Sequence, residues 1–169
     1  YYISGTVTTY FIPKEANFVA LHFDLSNDLQ VNSVTFHGQE VETYSQSNNI
    51  LTINLPSSLS MAELDSVSVT YEGAPPSNGF GSFAQATHSG NPVLWTLSEP
   101  YGARDWWPCK QDLSDKIDSI DVLVRTPADY KVASNGLLQE VIEEGNEHIY
   151  HWKHRYPIPA YLIAIAVTN

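Results

Sequence analysis

Hydrophobic and polar residues alternate along most of this chain. The alternation is clear in Ile3-Ser-Gly-Thr-Val-Thr-Thr-Tyr-Phe11 and Phe18-Val-Ala-Leu-His-Phe-Asp-Leu25, and it recurs over 31–36, 50–55 and 67–71. A period of two puts successive side chains on opposite faces of a half-buried strand. Turn residues close these runs at His37-Gly38-Gln39, Leu55-Pro56-Ser57 and Glu72-Gly73. A second set follows over 117–125, 130–133, 137–142, 148–154 and 161–168, with Glu143-Glu144-Gly145-Asn146 predicting a hairpin. About ten strands at this spacing predict an all-β fold: a sandwich-like arrangement of twisted, mostly antiparallel sheets. One short helical turn is allowed over 58–64. Two segments break the rhythm and read as long loops, 74–92 and 100–114. The run 160–169 is continuously apolar, which predicts a strand buried on both faces, with a domain boundary behind it.

Composition narrows the function classes. The 169 residues suit one domain large enough to hold its own core. The net charge is −11 and only 8 residues are Lys or Arg. Phosphate-binding surfaces are built from those residues, so the composition argues against nucleic acid and disfavours adhesion to anionic lipid. A field of this sign attracts cationic ligands such as a peptide's amino group, though it chiefly serves solubility. No apolar run approaches the ~20 residues that span a membrane. The sequence opens on Tyr1 rather than Met, which reads as a fragment or a processed form. It does not fix the compartment, an extracytoplasmic one being favoured over the cytoplasm.

Candidate chemistry is sparse. The single Cys, Cys109, excludes an internal disulfide framework, and no His lies near it in sequence to activate it. It reads as a small buried apolar residue. His148, His151 and His154 would share a face on a helix, but their surroundings have a strand pattern. There His151 points away from the other two, which stand too far apart for one ion. Asp112, Asp115, Asp118 and Asp121 scatter over loop and strand. The sequence has no HExxH, no calcium loop, no GxSxG elbow and no phosphate-cradling glycine loop. No catalytic residue and no metal ligand set is assigned.

One stretch stands apart. Trp95 to Asp112 reads WTLSEPYGARDWWPCKQD and holds three of the chain's four Trp together with its only Cys. Thr96-Leu97-Ser98-Glu99-Pro100-Tyr101-Gly102-Ala103-Arg104, then Trp106-Trp107-Pro108-Cys109, resembles a signature of the zinc aminopeptidases typified by aminopeptidase N. In that family the segment runs T-Q-x-E/Q, then A-R, two apolar or aromatic positions, and P-C. The likeness continues in order along the chain, through Phe23-Asp24-Leu25, Leu51-Thr-Ile-Asn-Leu-Pro56, Val69-Thr-Tyr-Glu-Gly73, Ala133-Ser134-Asn135-Gly136 and Pro159-Ala-Tyr-Leu-Ile-Ala-Ile-Ala166.

The resemblance implies that residues 1–169 are a single, saddle-like N-terminal β domain of a larger peptidase. A catalytic domain carrying the zinc would follow residue 169 and would be this domain's partner. Glu99 stands at the position that, in the family, binds the free α-amino group of the peptide substrate. A carboxylate at a pocket's edge pairs with an ammonium and fixes where the peptide must end. The bland alternative is a Glu that caps its own loop. Two departures matter: Leu97 replaces a Gln and cannot hydrogen-bond, and Lys110-Gln111-Asp112-Leu113 replaces an aromatic and acidic run. Arg104 reads as a residue that holds the loop, and Trp106 and Trp107 as anchors in the core or at the domain interface. The rival reading is a free-standing module for carbohydrate or protein ligands, with Trp95, Tyr101, Trp106 and Trp107 as its platform.

Overall fold

The structure is a computed structural model and describes residues 2–76 and 82–169. Fourteen strands are found among them: β1 (Ile3–Phe11), β2 (Phe18–Asp24), β3 (Leu29–Phe36), β4 (Gln39–Glu40), β5 (Tyr44–Ser47), β6 (Ile50–Leu59), β7 (Asp65–Gly73), β8 (Phe83–His88), β9 (Asn91–Thr96), β10 (Ile120–Pro127), β11 (Lys131–Ser134), β12 (Leu137–Glu144), β13 (Glu147–His154) and β14 (Ile165–Thr168). Two 3-10 turns, Ala103–Asp105 and Ala160–Leu162, are the only helical pieces among the described residues. The all-β expectation holds, and every strand pairing is antiparallel.

The chain forms two compact units. The first is built from the described residues up to Pro76 together with Arg104–Lys110. It holds a sheet ordered β1-β7-β3-β4 and a sheet ordered β2-β6-β5. Its core follows from the alternation: Val67, Val69 and Tyr71 of β7, Val34 and Phe36 of β3, and Leu51, Ile53 and Leu55 of β6 are all buried. On the opposite face of the first sheet, hydroxyls pair across strands: Thr6 with Thr70 at 3.0 Å and Thr8 with Ser68 at 2.8 Å. The hairpins close through turns whose residues have positive φ, His37-Gly38 and Asn48-Asn49, which matches the right-handed strand twist.

The second unit comprises the remaining described residues, through Ala103 and from Gln111 to Asn169. Its sheets are ordered β10-β13-β12 and β11-β14-β9-β8. The hairpin read at Glu143-Glu144-Gly145-Asn146 joins β12 to β13, with Gly145 at φ 61°.

Three local readings are corrected. The helical turn allowed over 58–64 does not form: β6 runs on to Leu59, and the chain reverses at Ala62, whose N–H donates to the Pro13 carbonyl at 3.0 Å. The segment 74–92, read as a loop, contains the β8–β9 hairpin, turning at Ser89-Gly90 with φ 52° and 86°; its Gly79 and Gly81 lie outside the described residues. The apolar run 160–169 is not one strand buried on both faces. Ala160–Leu162 is a 3-10 turn, and Ala166 in the short β14 is exposed. Pro159 opens that turn with its own φ fixed, and the Leu162 N–H closes it on the Pro159 carbonyl at 3.1 Å.

Candidate functional site

The segment 95–112 is shared between the two units, and its halves are built differently. The first half leaves β9 at Thr96, which is buried and whose Oγ1 accepts the Ile165 N–H at 3.0 Å. Leu97 donates its N–H to the Ser82 carbonyl at 3.2 Å, while its side chain is 45% exposed. Ser98 is buried, and its carbonyl accepts the Gly102 N–H at 2.8 Å. That bond closes a turn with Glu99 and Pro100 at its tip, joined by a cis peptide bond. Gly102 is required here, because a Cβ would run into the Ser82 side chain and the Ser98 backbone.

Backbone and buried hydroxyls hold the base of this turn, so Leu97, Glu99 and Tyr101 face solvent. The Glu99 carboxylate makes no hydrogen bond and no ion pair with the described residues. A carboxylate on an anchored turn is chemically suited to accept hydrogen bonds from an ammonium group.

The second half is packed inside the first unit. Ser26 donates its N–H to the Arg104 carbonyl at 2.8 Å, and Asp24 and Cys109 exchange backbone hydrogen bonds of 2.7 and 3.0 Å. Trp106 and Trp107 are buried with ring centroids 5.9 Å apart, and Pro108 and Cys109 are fully buried beside them. The Trp106 carbonyl accepts the Tyr71 hydroxyl at 2.8 Å. Arg104 Nε lies 4.0 Å from the carboxylate of Asp105, which is itself buried. The Arg104 carbonyl thus ties the segment to Ser26, while its side chain lies beside the neighbouring acid.

Electrostatics agree with an anchoring role. Burial pushes the Cys109 thiol well up; Asp24 and Asp105 add to the shift and Arg104 opposes it. The thiol stays protonated, so Cys109 is an inert core residue. Burial likewise raises the Tyr71 hydroxyl, with the neighbouring Cys109 contributing.

The remaining candidates do not assemble. His148, His151 and His154 lie on β13, with His151 on the face opposite the other two. His151 Nε2 meets Asp121 at 2.7 Å, and its Nδ1 is 3.6 Å from Glu140. Asp121 also takes the Lys153 ammonium at 2.7 Å. Asp112 accepts the N–H and hydroxyl of Ser114 at 2.8 and 2.7 Å, a local turn. Among the described residues no three His, Cys, Asp or Glu side chains are grouped to hold a metal ion.

The family model described as "Peptidase M1 N-terminal domain" matches residues 2–162, the motif included. The chain belongs to that family. Its fold matches an M1 zinc metallopeptidase from Deinococcus radiodurans with a TM-score of 0.86 at 26% identity, covering 98% of this chain and 38% of the other. A mutant of that enzyme bound to a Tyr-Ser-Ala substrate matches at a TM-score of 0.86 and 25% identity, with the same coverage. A two-domain M1 zinc metallopeptidase mutant bound to L-tryptophan matches at 0.85 and 26%, again with the same coverage. This M1 N-terminal domain therefore spans 38% of the length of the solved chains it matches.

Sequence reasoning reached Glu99 through the motif and not through geometry. It missed the framework that holds the turn: Ser82, the buried hydroxyls of Thr96 and Ser98, and the β8–β9 hairpin. The signal available was Ser89-Gly90 between two short apolar alternations, a hairpin pattern obscured by Pro92.

Proposed function

We propose that this M1 N-terminal domain is the non-catalytic part of a zinc aminopeptidase, and that it packs on the catalytic domain of its own chain and lends Glu99 to recognition of the substrate's free amino terminus. The observation that carries the reading is the Glu99 carboxylate itself, exposed and unpaired among the described residues at the tip of an anchored turn. It occupies the E/Q position of the family signature. A carboxylate held there adds a charge-assisted contact to an ammonium and disfavours peptides whose amino group is blocked. The zinc of the parent enzyme would be held by the catalytic domain, where it would polarise the scissile carbonyl and activate water. With Leu97 unable to hydrogen-bond, Glu99 carries more of the amine contact than it would beside a Gln.

The test is Glu99→Ala in the full-length protein. The expected result is a tenfold to hundredfold fall in kcat/KM for peptides with a free amino terminus, the equivalent of losing about 1.5–3 kcal/mol. Blocked substrates should respond far less, and the melting temperature should not move. Unchanged kinetics, or an effect arising only through unfolding, would make Glu99 a loop residue. The rival platform reading is weakened by burial, because Trp106 and Trp107 offer no ring face to a sugar.

A further inference from the structure

We propose that Thr96 and Asn135 are positioning residues for Glu99, acting on it through the start of β14. The inference rests on the reading of Glu99 as the amine-binding carboxylate and says what holds that carboxylate in place. In the sheet ordered β11-β14-β9-β8, the ladder between β14 and β9 is short: Ala166 lies opposite Trp95 and Val167 opposite Leu94. One residue closer to the Glu99 turn, side chains take over from the ladder. The Ile165 N–H donates to Thr96 Oγ1 at 3.0 Å, and Thr96 is buried. The neighbouring residue is clamped from the β11 side. Ala164 donates its N–H to Asn135 Oδ1 at 2.7 Å, Asn135 Nδ2 donates to the Leu162 carbonyl at 2.9 Å, and Ser134 Oγ donates to the Ala164 carbonyl at 2.8 Å.

Residue chemistry fits each place. Asn135 precedes Gly136, which has φ 89° and where a Cβ would run into the Lys153 carbonyl of β13. Only glycine allows so close an approach. The Asn135 amide offers a donor and an acceptor together, and so meets a carbonyl and an N–H two residues apart. The resulting chain of contacts is continuous. Asn135 fixes Ala164, Ile165 follows it and holds Thr96, and Thr96 stands three residues before Glu99. The Glu99 turn thus has two lateral supports. On the β8 side Leu97 donates its N–H to the Ser82 carbonyl, a backbone bond that side-chain changes leave in place. On the β14 side the support is the Thr96 hydroxyl, which a substitution can remove. A charge-assisted contact works only when its carboxylate is held in the productive geometry. Loss of the β14 support therefore weakens amine recognition without touching Glu99.

The experiment is a double-mutant cycle in the full-length protein, read as kcat/KM on a tripeptide with a free amino terminus. Thr96→Val keeps the side-chain shape and removes the hydroxyl, Asn135→Ala removes both clamp bonds, and Thr96→Ser keeps the hydroxyl as the conservative control. Each variant is made with Glu99 intact and again with Glu99→Ala. With Glu99 intact, Thr96→Val and Asn135→Ala should each lower kcat/KM by about threefold to thirtyfold, and Thr96→Ser should stay close to wild type. With Glu99→Ala in place the same two changes should cost almost nothing, because the group they position is gone. A merely structural role, or a loss of folded protein, would lower activity equally in both backgrounds. Equal losses in the two backgrounds, or a Thr96→Ser variant as impaired as Thr96→Val, would overturn the positioning role while Glu99 keeps its own. A silent Glu99→Ala would instead overturn the amine-recognition reading and this inference with it.

Discussion

Residues 97–101 and 106–109 belong to one motif and have opposite fates. In the first stretch Leu97, Glu99 and Tyr101 face water and the Glu99 carboxylate has no partner among the described residues. In the second, both Trp, Pro108 and Cys109 are buried and Tyr71 is bonded to the backbone. A motif read as one functional unit is therefore an anchor and a presented group joined by a short turn. Damage to the anchor should act through stability, and damage to the presented group through binding alone.

Trp106→Ala should give the largest effect, about 3–5 kcal/mol of lost stability from cavity formation, read by chemical denaturation. Little loss would mean that the buried half is not an anchor. Glu99→Ala should cost about 1.5–3 kcal/mol in kcat/KM and nothing in melting temperature. A stability effect of similar size would erase the contrast between the halves. Gly102→Ala should cost about 1–3 kcal/mol by overpacking against Ser82 and Ser98. Because it displaces the turn, it should also raise KM, so this is the one change expected to show both signatures. Tyr71→Phe removes only the hydroxyl donated to Trp106 and should cost about 0.5–1.5 kcal/mol, with kinetics unaltered.

The smallest effect lies away from the motif, at Asp121. Burial alone would raise its carboxyl, but hydrogen bonds and attraction from Lys153 and His151 prevail and hold it below the usual carboxylate range. A carboxylate depressed on folding contributes stability that is present above its unfolded value, near pH 4, and is lost as pH falls through the lower folded value. The side chain is 38% exposed, so Asp121→Asn should cost under about 1 kcal/mol at neutral pH. The difference from wild type should fade in melts as pH falls beneath the ordinary carboxylate value, near pH 4. A constant difference at all pH values would assign the effect to packing rather than charge.

Alternation alone specified the all-β class and most strands, because a period of two is a local property written in neighbouring residues. The motif named Glu99, and the strand pattern around His151 was enough to separate the three histidines. Tertiary structure decided the rest. Nothing local distinguishes Leu97 and Tyr101 from Trp106 and Trp107, which are all large and apolar; their exposure depends on which strands lie beside them. Asp24 could not be seen as the backbone partner of Cys109, since the two are far apart in sequence and a backbone bridge leaves no side-chain signature. The apolar run 160–169 shows the limit most plainly. Its composition fits a buried strand, but a turn at Ala160–Leu162 breaks it. The Ala164 and Ile165 amides beyond that turn are held by Asn135 and Thr96, distant residues that no window of local sequence contains.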